Sequence, residues 1–246
     1  MSTSRKTTAQ IERIEVCQRW VRAKVNSEFV VDCKNPLRVW EHQKYPTYFF
    51  PYDDVRMDRL EKTTQTNNRL FWHLTINGQK IERAAYGYLN QPDLEGYLTL
   101  PWHKVDHWYE EAEEVFVHAR DPYKRIDVMP STRQVRVVID GETVADTKRS
   151  SLLFETSLPT RYYIPQEDIN MEYLTATDSH TLCPYKGKAS YWSVSIDDQV
   201  HRDLVWSYPE PIAECPKIKG LLCFYNEKVD LYVDGVLQER PQSYWS

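Results

Sequence analysis

The sequence predicts an all-β protein made of two tandem antiparallel domains, with little helix. Apolar and polar residues alternate with a period of two in short runs rich in Val, Ile and Thr, as in half-buried strands. Aromatic residues make up 13% of the chain and 14 prolines interrupt the runs, and both features favour strands over long helices. The third observation is a repeat, because the passage that begins at Val21 occurs again at Val135.

The repeat covers most of the chain at an offset of 114 residues, as between Val21 and Val135. Matched pairs include Glu41 with Glu155, Asp54 with Asp168 and, after a short insertion, Phe71-Trp72 with Tyr191-Trp192. A repeat this long is a domain, since solenoid units span only roughly 20 to 50 residues. We therefore predict a diverged first copy over residues 1–129 and a second copy over residues 130–246, packed as a pseudo-dimer.

Turn dipeptides between alternating runs mark the hairpins of each copy. They are Asn77-Gly78, Asp140-Gly141, Asp197-Asp198 and Asp234-Gly235. One longer helix is predicted over residues 9–17, with lesser helical turns over residues 108–113 and 214–219.

Charge and hydropathy narrow the class of partner. The net charge is −5 and the pI about 5.8, so no broad basic field is present to bind nucleic acid. No apolar run is long enough to span a membrane, and the first residues lack the apolar core of a signal peptide. We expect a cytoplasmic protein with reduced cysteines, bound to neither nucleic acid nor membrane.

The second copy resembles a small all-β family, domain of unknown function 427. The resemblance is carried by Tyr162-Tyr163-Ile164-Pro165, Cys183-Pro184-Tyr185-Lys186-Gly187, Tyr191-Trp192-Ser193 and Trp206-Ser207-Tyr208-Pro209. The first copy resembles a diverged member, because Asn67-Asn68-Arg69-Leu70 stands where the second copy has residues 183–187. The resemblance implies a twisted, Mss4-like tent of antiparallel strands, a provisional nucleotidyltransferase-like label and a link to fungal small-molecule biosynthesis.

Metal and cofactor are not expected. Relatives with the tent fold hold zinc between Cys-x-x-Cys pairs, whereas His180 and Cys183 supply two of the four ligands that a structural zinc needs. Nucleotidyl transfer would need paired carboxylates for Mg²⁺ and a phosphate-binding loop, and the sequence has neither an Asp-x-Asp pair nor a Gly-rich loop ending in Lys.

Residues 183–187 form the predicted site, and two interpretations stay open. Pro184 and Gly187 can simply shape a tight loop. Alternatively, the loop holds Lys186 at the mouth of an aromatic-lined sheet, where its amine binds an anion or, once desolvated, acts as a base or nucleophile. Cys183 is a further candidate nucleophile, provided that its pKa is lowered, and His180 is the base that the spacing offers.

The other candidates handle protons or contact a ligand. Tyr163, Tyr185 and Glu155 are the candidate proton-transfer groups. Candidate ligand contacts are Arg136, His180, Tyr191, Trp192, Trp206 and Tyr208. Glu155 and Asp168 recur in the first copy as Glu41 and Asp54, so a structural role, such as an ion pair with Arg136 or Arg22, is the alternative for both.

The first copy has its own unusual group of His and aromatic residues. Its members are His73, Trp102, His103, His107, Trp108 and Tyr109. One interpretation is that this group covers a pocket at the interface between the copies.

The favoured function is a small-molecule enzyme of specialised metabolism that works by acid–base chemistry without a cofactor. The reaction would be an isomerisation, cyclisation or elimination of a small organic substrate, with Lys186 polarising an oxyanion. The alternatives are nucleotide binding or transfer and a non-catalytic ligand-binding module. The sequence leaves open whether the chain forms a homodimer.

Overall fold

The computed structural model describes residues 11–66 and 68–243. The chain divides into two compact units, one ending at Asp121 and the other beginning at Pro122. The division falls before the predicted cut near Pro130, because strand β12 (Ile126–Pro130) pairs with β15 (Ser151–Glu155) of the second unit.

The described residues contain no α-helix, which agrees with the predicted fold class. The strands of the first unit are β1 (Arg13–Val16), β2 (Val21–Val25), β3 (Glu28–Cys33), β4 (Leu37–Trp40), β5 (Thr47–Pro51), β6 (Leu60–Gln65), β7 (Arg69–Ile76), β8 (Gln79–Tyr88), β9 (Tyr97–Leu98), β10 (His107–Glu110) and β11 (Glu113–Val115). Those of the second unit, besides β12 and β15, are β13 (Val135–Ile139), β14 (Glu142–Thr147), β16 (Arg161–Ile164), β17 (Leu174–Cys183), β18 (Gly187–Ile196), β19 (Gln199–Ser207), β20 (Leu222–Phe224), β21 (Asp230–Val233) and β22 (Val236–Leu237).

The two units repeat one plan of strand pairing. In the first unit β1 pairs with β4, β4 with β5, β5 with β9, β2 with β3 and β10, and β7 with β6 and β8. The corresponding strands of the second unit pair in the same way, from β12 with β15 to β18 with β17 and β19. The structure thus confirms the tandem repeat.

One connection between strands differs. In the second unit β19 pairs with β20, which joins seven strands into one continuous sheet. In the first unit the same place holds a single bridge between Tyr86 and Thr99, so the strands form separate sheets of four and three. The strand pairing beside Tyr86 is therefore shorter in the first unit.

Short 3-10 helices connect several strands. They span Tyr52–Asp54, Met57–Arg59, Pro92–Leu94, Trp102–Lys104, Gln166–Asp168, Met171–Tyr173 and Pro216–Ile218. The last lies within the helical turn predicted over residues 214–219. The four predicted hairpin turns are confirmed, since each dipeptide lies between two paired strands.

Two helical predictions are wrong. Residues 9 and 10 lie outside the described residues, but Arg13–Val16 is strand β1, because the edge of β4 offers its backbone groups a partner. Residues 108–113 were expected to form a helical turn, yet His107–Glu110 is strand β10 beside β2. Its alternating burial places Trp108 and Glu110 inside, which is a strand pattern.

Each unit has its own core. In the first unit Val21, Val31, Phe50 and Trp72 are almost fully buried in one apolar cluster. In the second, Val135, Val205 and Leu222 occupy a similar cluster. A second cluster around Tyr163 and Trp206 lies beside the predicted site.

Candidate functional site

The first unit contains a cavity of about 410 Å³ with mostly aromatic walls. Its polar lining includes Glu41, just after β4, Arg69 at the start of β7 and Tyr86 near the end of β8. Other lining residues include His42, Tyr45, Thr47, Tyr48, Trp102, His103, Trp108 and His118. Small-molecule sites commonly measure about 300 to 1,000 Å³, so this cavity is of suitable size.

Glu41 is the centre of a hydrogen-bonded cluster in the cavity lining. The Tyr86 hydroxyl lies 2.9 Å from Oε1 and 2.7 Å from Oε2 of Glu41, the Tyr88 hydroxyl donates to Oε1 at 2.5 Å, and the Arg69 guanidinium donates to Oε1 at 2.9 Å. Within the described part of the chain Oε2 receives a hydrogen bond from Tyr86 alone, so this oxygen keeps acceptor capacity.

The donors around Glu41 hold their protons at neutral pH. Burial and the Glu41 carboxylate raise the pKa of Tyr86, and burial with a hydrogen bond to Glu41 raises the pKa of Tyr88 to about 12. Burial alone would lower the pKa of Arg69, but the Tyr88 hydrogen bond and neighbouring charges raise it. The cluster therefore presents a carboxylate fixed by neutral hydroxyls and one guanidinium.

Aromatic rings form the rest of the wall. Trp102 stacks on Trp108 with ring centroids 4.8 Å apart, and Tyr45 stacks on His118 at 3.9 Å. The ring of His42 meets that of Tyr45 edge to face at 4.5 Å. Such flat surfaces suit a planar organic ligand.

The predicted His and aromatic group is only partly at this cavity. Trp102, His103 and Trp108 line it, and it lies within the first unit. His73 instead accepts a hydrogen bond from the Arg83 backbone. Nδ1 of His107 is hydrogen-bonded to the Glu114 carboxylate at 2.6 Å, and the Tyr109 ring packs edge to face against Phe29.

In the second unit Glu155, the counterpart of Glu41, binds two lysines. The Nζ atom of Lys186 contacts Oε2 of Glu155, and Nζ of Lys124 lies 3.4 Å from Oε1. The Glu155 and Lys186 residues are each 9% exposed. The structure thus joins two candidates that the sequence proposed separately, as an ion pair.

The contacts of Lys186 favour the charged form of its amine over the neutral form. Burial alone would lower the pKa of this amine, but the charges of Cys183 and Glu155 and the hydrogen bond to Glu155 raise it. The raised pKa and the ion pair favour anion binding by a charged Lys186 over the role of free base or nucleophile, and these roles stay predictions.

Several other candidates pack near this ion pair. Tyr163, Tyr191, Trp206 and Tyr208 share one buried cluster, against which Cys183 also packs. Tyr163 is fully buried and accepts a hydrogen bond from Nε1 of Trp206 at 3.1 Å, so its hydroxyl is a core contact rather than the mouth of a sheet. The Tyr185 ring lies 5.8 Å from Nζ of Lys124.

Three candidates lie away from this cluster. Trp192 packs against the other core of the unit, because neighbouring residues of a strand face opposite sides and Tyr191 takes the near side. Arg136 lies in a different sheet, over the ring of Tyr232. His180 is exposed and donates a hydrogen bond to the Ala189 carbonyl. The strand pairing is regular from His180 to Cys183, so these two residues, three positions apart, face opposite sides.

Asp168 has a structural role, but with another partner than the one predicted. Its carboxylate binds Arg149 at 2.6 Å and the Thr147 hydroxyl at 2.6 Å, and these contacts lower the pKa of Asp168. Arg136 is not among these contacts.

The second unit also has a cavity, of about 490 Å³, whose lining residue Cys215 donates a hydrogen bond to the carbonyl of Tyr185, the chain neighbour of Lys186. It is lined by residues 126–129 of β12 and residues 213–217 around the last 3-10 helix. None of the residues proposed from the sequence lines it, so it gives no support to the predicted site.

Residue differences between the units explain why the first cavity is open. Thr47 pairs with Val39 where, in the second unit, Arg161 pairs with Leu153. Tyr86 occupies the position of Trp206. Leu98 is equivalent to Leu222, and counting onward from this pair places His103 at the position of Glu227.

In the second unit these positions contact one another. Arg161 donates two hydrogen bonds to Glu227, at 2.6 and 2.7 Å, and the Glu227 side chain is fully buried. The guanidinium also lies 5.5 Å from the ring of Trp206, which packs on Tyr225 at 4.5 Å. Larger side chains and an ion pair thus occupy positions that line the cavity in the first unit.

The sequence pattern gave no role to Arg69, Arg161 or Glu227. Arg69 stands within the segment that replaces residues 183–187, and it is the basic partner of Glu41 just as Lys186 is of Glu155. The signal was available in the repeat, because a glutamate retained in both copies needs a basic partner in both.

Two structural features are absent from the described residues. Within residues 11–66 and 68–243, no group of three or more His, Cys, Asp or Glu side chains is arranged to hold a metal ion. Over the same residues, no helix has the length and apolar character needed to cross a membrane.

The protein consists of two all-β units, each with an at least partly buried glutamate bound to a basic side chain. The family model described as Domain of unknown function (DUF427) matches residues 13–111 and again residues 127–235. The chain therefore belongs to the DUF427 family, with one domain of the family in each unit. No curated protein matches the chain.

Proposed function

We propose that the protein is a small-molecule enzyme of specialised metabolism whose acid–base chemistry takes place in the cavity of the first unit. The observation that carries the proposal is the Glu41 carboxylate, held by Arg69, Tyr86 and Tyr88 in the wall of an aromatic cavity of about 410 Å³. Isomerisation, cyclisation and elimination all begin with such a proton transfer.

Glu41 has the geometry of a general base. Arg69 and Tyr88 donate to Oε1 and Tyr86 bridges both oxygens, so the carboxylate is already oriented before a ligand arrives, and Oε2 keeps room to accept a proton. The Tyr86 hydroxyl touches both oxygens and can stabilise the carboxylic acid that forms. Because all groups in this scheme belong to the chain, the chemistry needs no cofactor.

Proton abstraction can be measured before the natural substrate is known. β-Tetralone is a flat ketone with exchangeable C–H groups, and its deuterium uptake from deuterated water is followed by NMR. We expect the full chain to accelerate uptake and Glu41→Gln to reduce the acceleration by about 100-fold or more, the usual contribution of a general base. Glu82→Gln, an exposed change on β8, is the matched control and should keep the activity.

The same experiment separates the two units. Lys186→Met removes the second unit's amine while keeping much of its volume. Loss of exchange in Lys186→Met but not in Glu41→Gln would move the active site to the second unit. Binding of β-tetralone without exchange would instead favour the non-catalytic ligand-binding module.

A second candidate, nucleotide binding, is favoured by one observation in the second unit. Lys124 and Lys186 bring two positive charges to the single carboxylate of Glu155, which leaves one in excess for an anionic group such as phosphate. A thermal shift with ATP and Mg²⁺ that Lys124→Ala abolishes would support this candidate; an unchanged melting temperature would contradict it.

A further inference from the structure

The hydroxyl group of Tyr48 donates its proton away from the first-unit cavity. Tyr48 lines the cavity, and its hydroxyl lies 2.6 Å from Oε1 of Glu110. Glu110 is 5% exposed and also forms an ion pair with Arg19. A tyrosine has one hydroxyl proton, so this contact leaves the Tyr48 oxygen as a hydrogen-bond acceptor.

The comparison with the second unit shows that Glu110 is a departure from the shared core. Glu110 lies opposite Val21 in the sheet, and at the same register of the second unit Val233 lies opposite Val135. Val233 is 1% exposed, so a carboxylate occupies a position where an apolar side chain suffices. Burying a charge is unfavourable unless it is compensated, which indicates a role other than stability.

The Glu41 cluster repeats the arrangement. The hydroxyls of Tyr86 and Tyr88 both donate to Glu41, so their protons are committed as well. Within the cavity lining the charge of Glu41 is balanced by Arg69, with which it pairs. Glu41, Tyr48 and Tyr86 of the polar lining therefore offer hydrogen-bond acceptors, and the pair of Glu41 with Arg69 carries no net charge to attract an ion.

From this pattern, and on the basis of the proposed function, we infer that the cavity binds a flat, uncharged molecule carrying at least two hydroxyl donors, such as a polyhydroxylated aromatic or its enol. One hydroxyl is recognised by the Tyr48 oxygen and another by Glu41 with Tyr86. The rings of Trp102 and Tyr45 supply flat surfaces for the planar part of the ligand. Glu110 is a positioning residue, because it acts through the Tyr48 hydroxyl.

A matched pair of probes tests this inference. Naphthoresorcinol carries two hydroxyls on a fused ring, and its dimethyl ether has the same plane without donors. Calorimetric titration of the full chain should show naphthoresorcinol binding about 10-fold more tightly or better, which corresponds to the hydrogen bonds lost in the ether.

Two variants change the pattern at Tyr48. Glu110→Val, which installs the residue of the second unit, frees the Tyr48 proton, and Tyr48→Phe removes the acceptor. In both, the preference for naphthoresorcinol over its ether should fall several-fold, while the exposed control Glu82→Val keeps it. The second variant remains informative where the first fails to fold.

The outcomes separate this inference from the function on which it rests. Equal affinity of the wild type for both probes would overturn the inference while the cavity proposal stands. Failure of both probes to bind would overturn both. A preference that survives Tyr48→Phe would show that Tyr48 is not the recognising group, and would overturn the role given to Glu110.

Discussion

The two units share a strand plan and a glutamate at the same position, yet the residues around that glutamate differ. In the first unit Glu41 is bound by Arg69 and two tyrosine hydroxyls beside an open cavity. In the second, Glu155 is bound by Lys186 and Lys124, and an ion pair between Arg161 and Glu227 lies nearby in the same unit. We propose that the copy with the less typical sequence carries the small-molecule site.

Duplication explains how this division can arise. Because the fold is present twice, one copy can keep the typical apolar core residues while the other copy replaces some of them. Charged groups at Glu110 and Arg38 replace positions that are Val233 and Leu152 in the second unit. At these two positions the first unit buries charged side chains where the second buries apolar ones.

The largest predicted effect breaks the ion pair of the second unit. Arg161→Thr installs the residue found at Thr47 and leaves the Glu227 carboxylate buried without its cation. Removing one partner of a buried pair costs about 3 to 5 kcal/mol, so the second unit should unfold at clearly lower urea concentration. Urea unfolding followed by tryptophan fluorescence measures the change.

The double variant Arg161→Thr with Glu227→His is the control. It installs both residues of the first unit and removes the isolated carboxylate. Its loss of stability should be smaller than that of Arg161→Thr alone. A larger, additive loss would show that the two side chains are not coupled.

The next effect compares the two glutamates directly. Glu155→Gln leaves the 9% exposed Lys186 without a negative partner and should cost about 3 kcal/mol. Glu41→Gln leaves Arg69, whose side chain is 31% exposed and partly hydrated, and should cost about 1 to 2 kcal/mol. Urea unfolding of the two variants side by side tests the order; equal losses would contradict the difference between the two settings.

Glu110→Val should change stability little while it alters ligand preference. The substitution removes a buried charge, and the side chain of Arg19, which is 43% exposed, can be hydrated. We expect a free energy of unfolding within about 1 kcal/mol of the wild type, measured by urea unfolding. A loss of several kcal/mol would mean that Glu110 is a structural group.

The smallest effect is the response to acid. Burial alone would raise the pKa of Glu227, but hydrogen bonds from Arg161 and Ser243 lower it below its usual range. A depressed pKa contributes stability above the unfolded value of about 4.3, and this stability is lost as the pH falls through the folded value. Glu227→Gln should therefore weaken the dependence of stability on pH between about 5 and 3, as measured by urea unfolding at each pH; an unchanged slope would contradict this.

Much of the fold follows from the sequence for identifiable reasons. The internal repeat and the turn dipeptides such as Asp140-Gly141 report directly on strands and hairpins, because both depend on local chemistry. The prediction of a helix around β1 was wrong because the conformation of this segment depends on pairing with β4. The paired residues lie 20 or more positions apart along the chain.

The site was harder to predict because it depends on what is missing from the core. A cavity appears where Thr47 and Tyr86 replace larger side chains, and no motif marks such a loss. The sequence predicted a site at residues 183–187 because they form a compact motif, whereas Arg69 lies in a segment without a motif. Comparison of the copies position by position would have revealed Arg69 and Glu110.

Reciprocal exchange of one aromatic residue tests most directly whether the first unit holds the ligand. Tyr86→Trp enlarges a lining residue to its counterpart in the second unit, and Trp206→Tyr makes the opposite change. Titration of the full chain with naphthoresorcinol should show binding weakened about 10-fold or more by Tyr86→Trp and unchanged by Trp206→Tyr. Binding that survives Tyr86→Trp and is lost in Trp206→Tyr would contradict the account and place the site in the second unit.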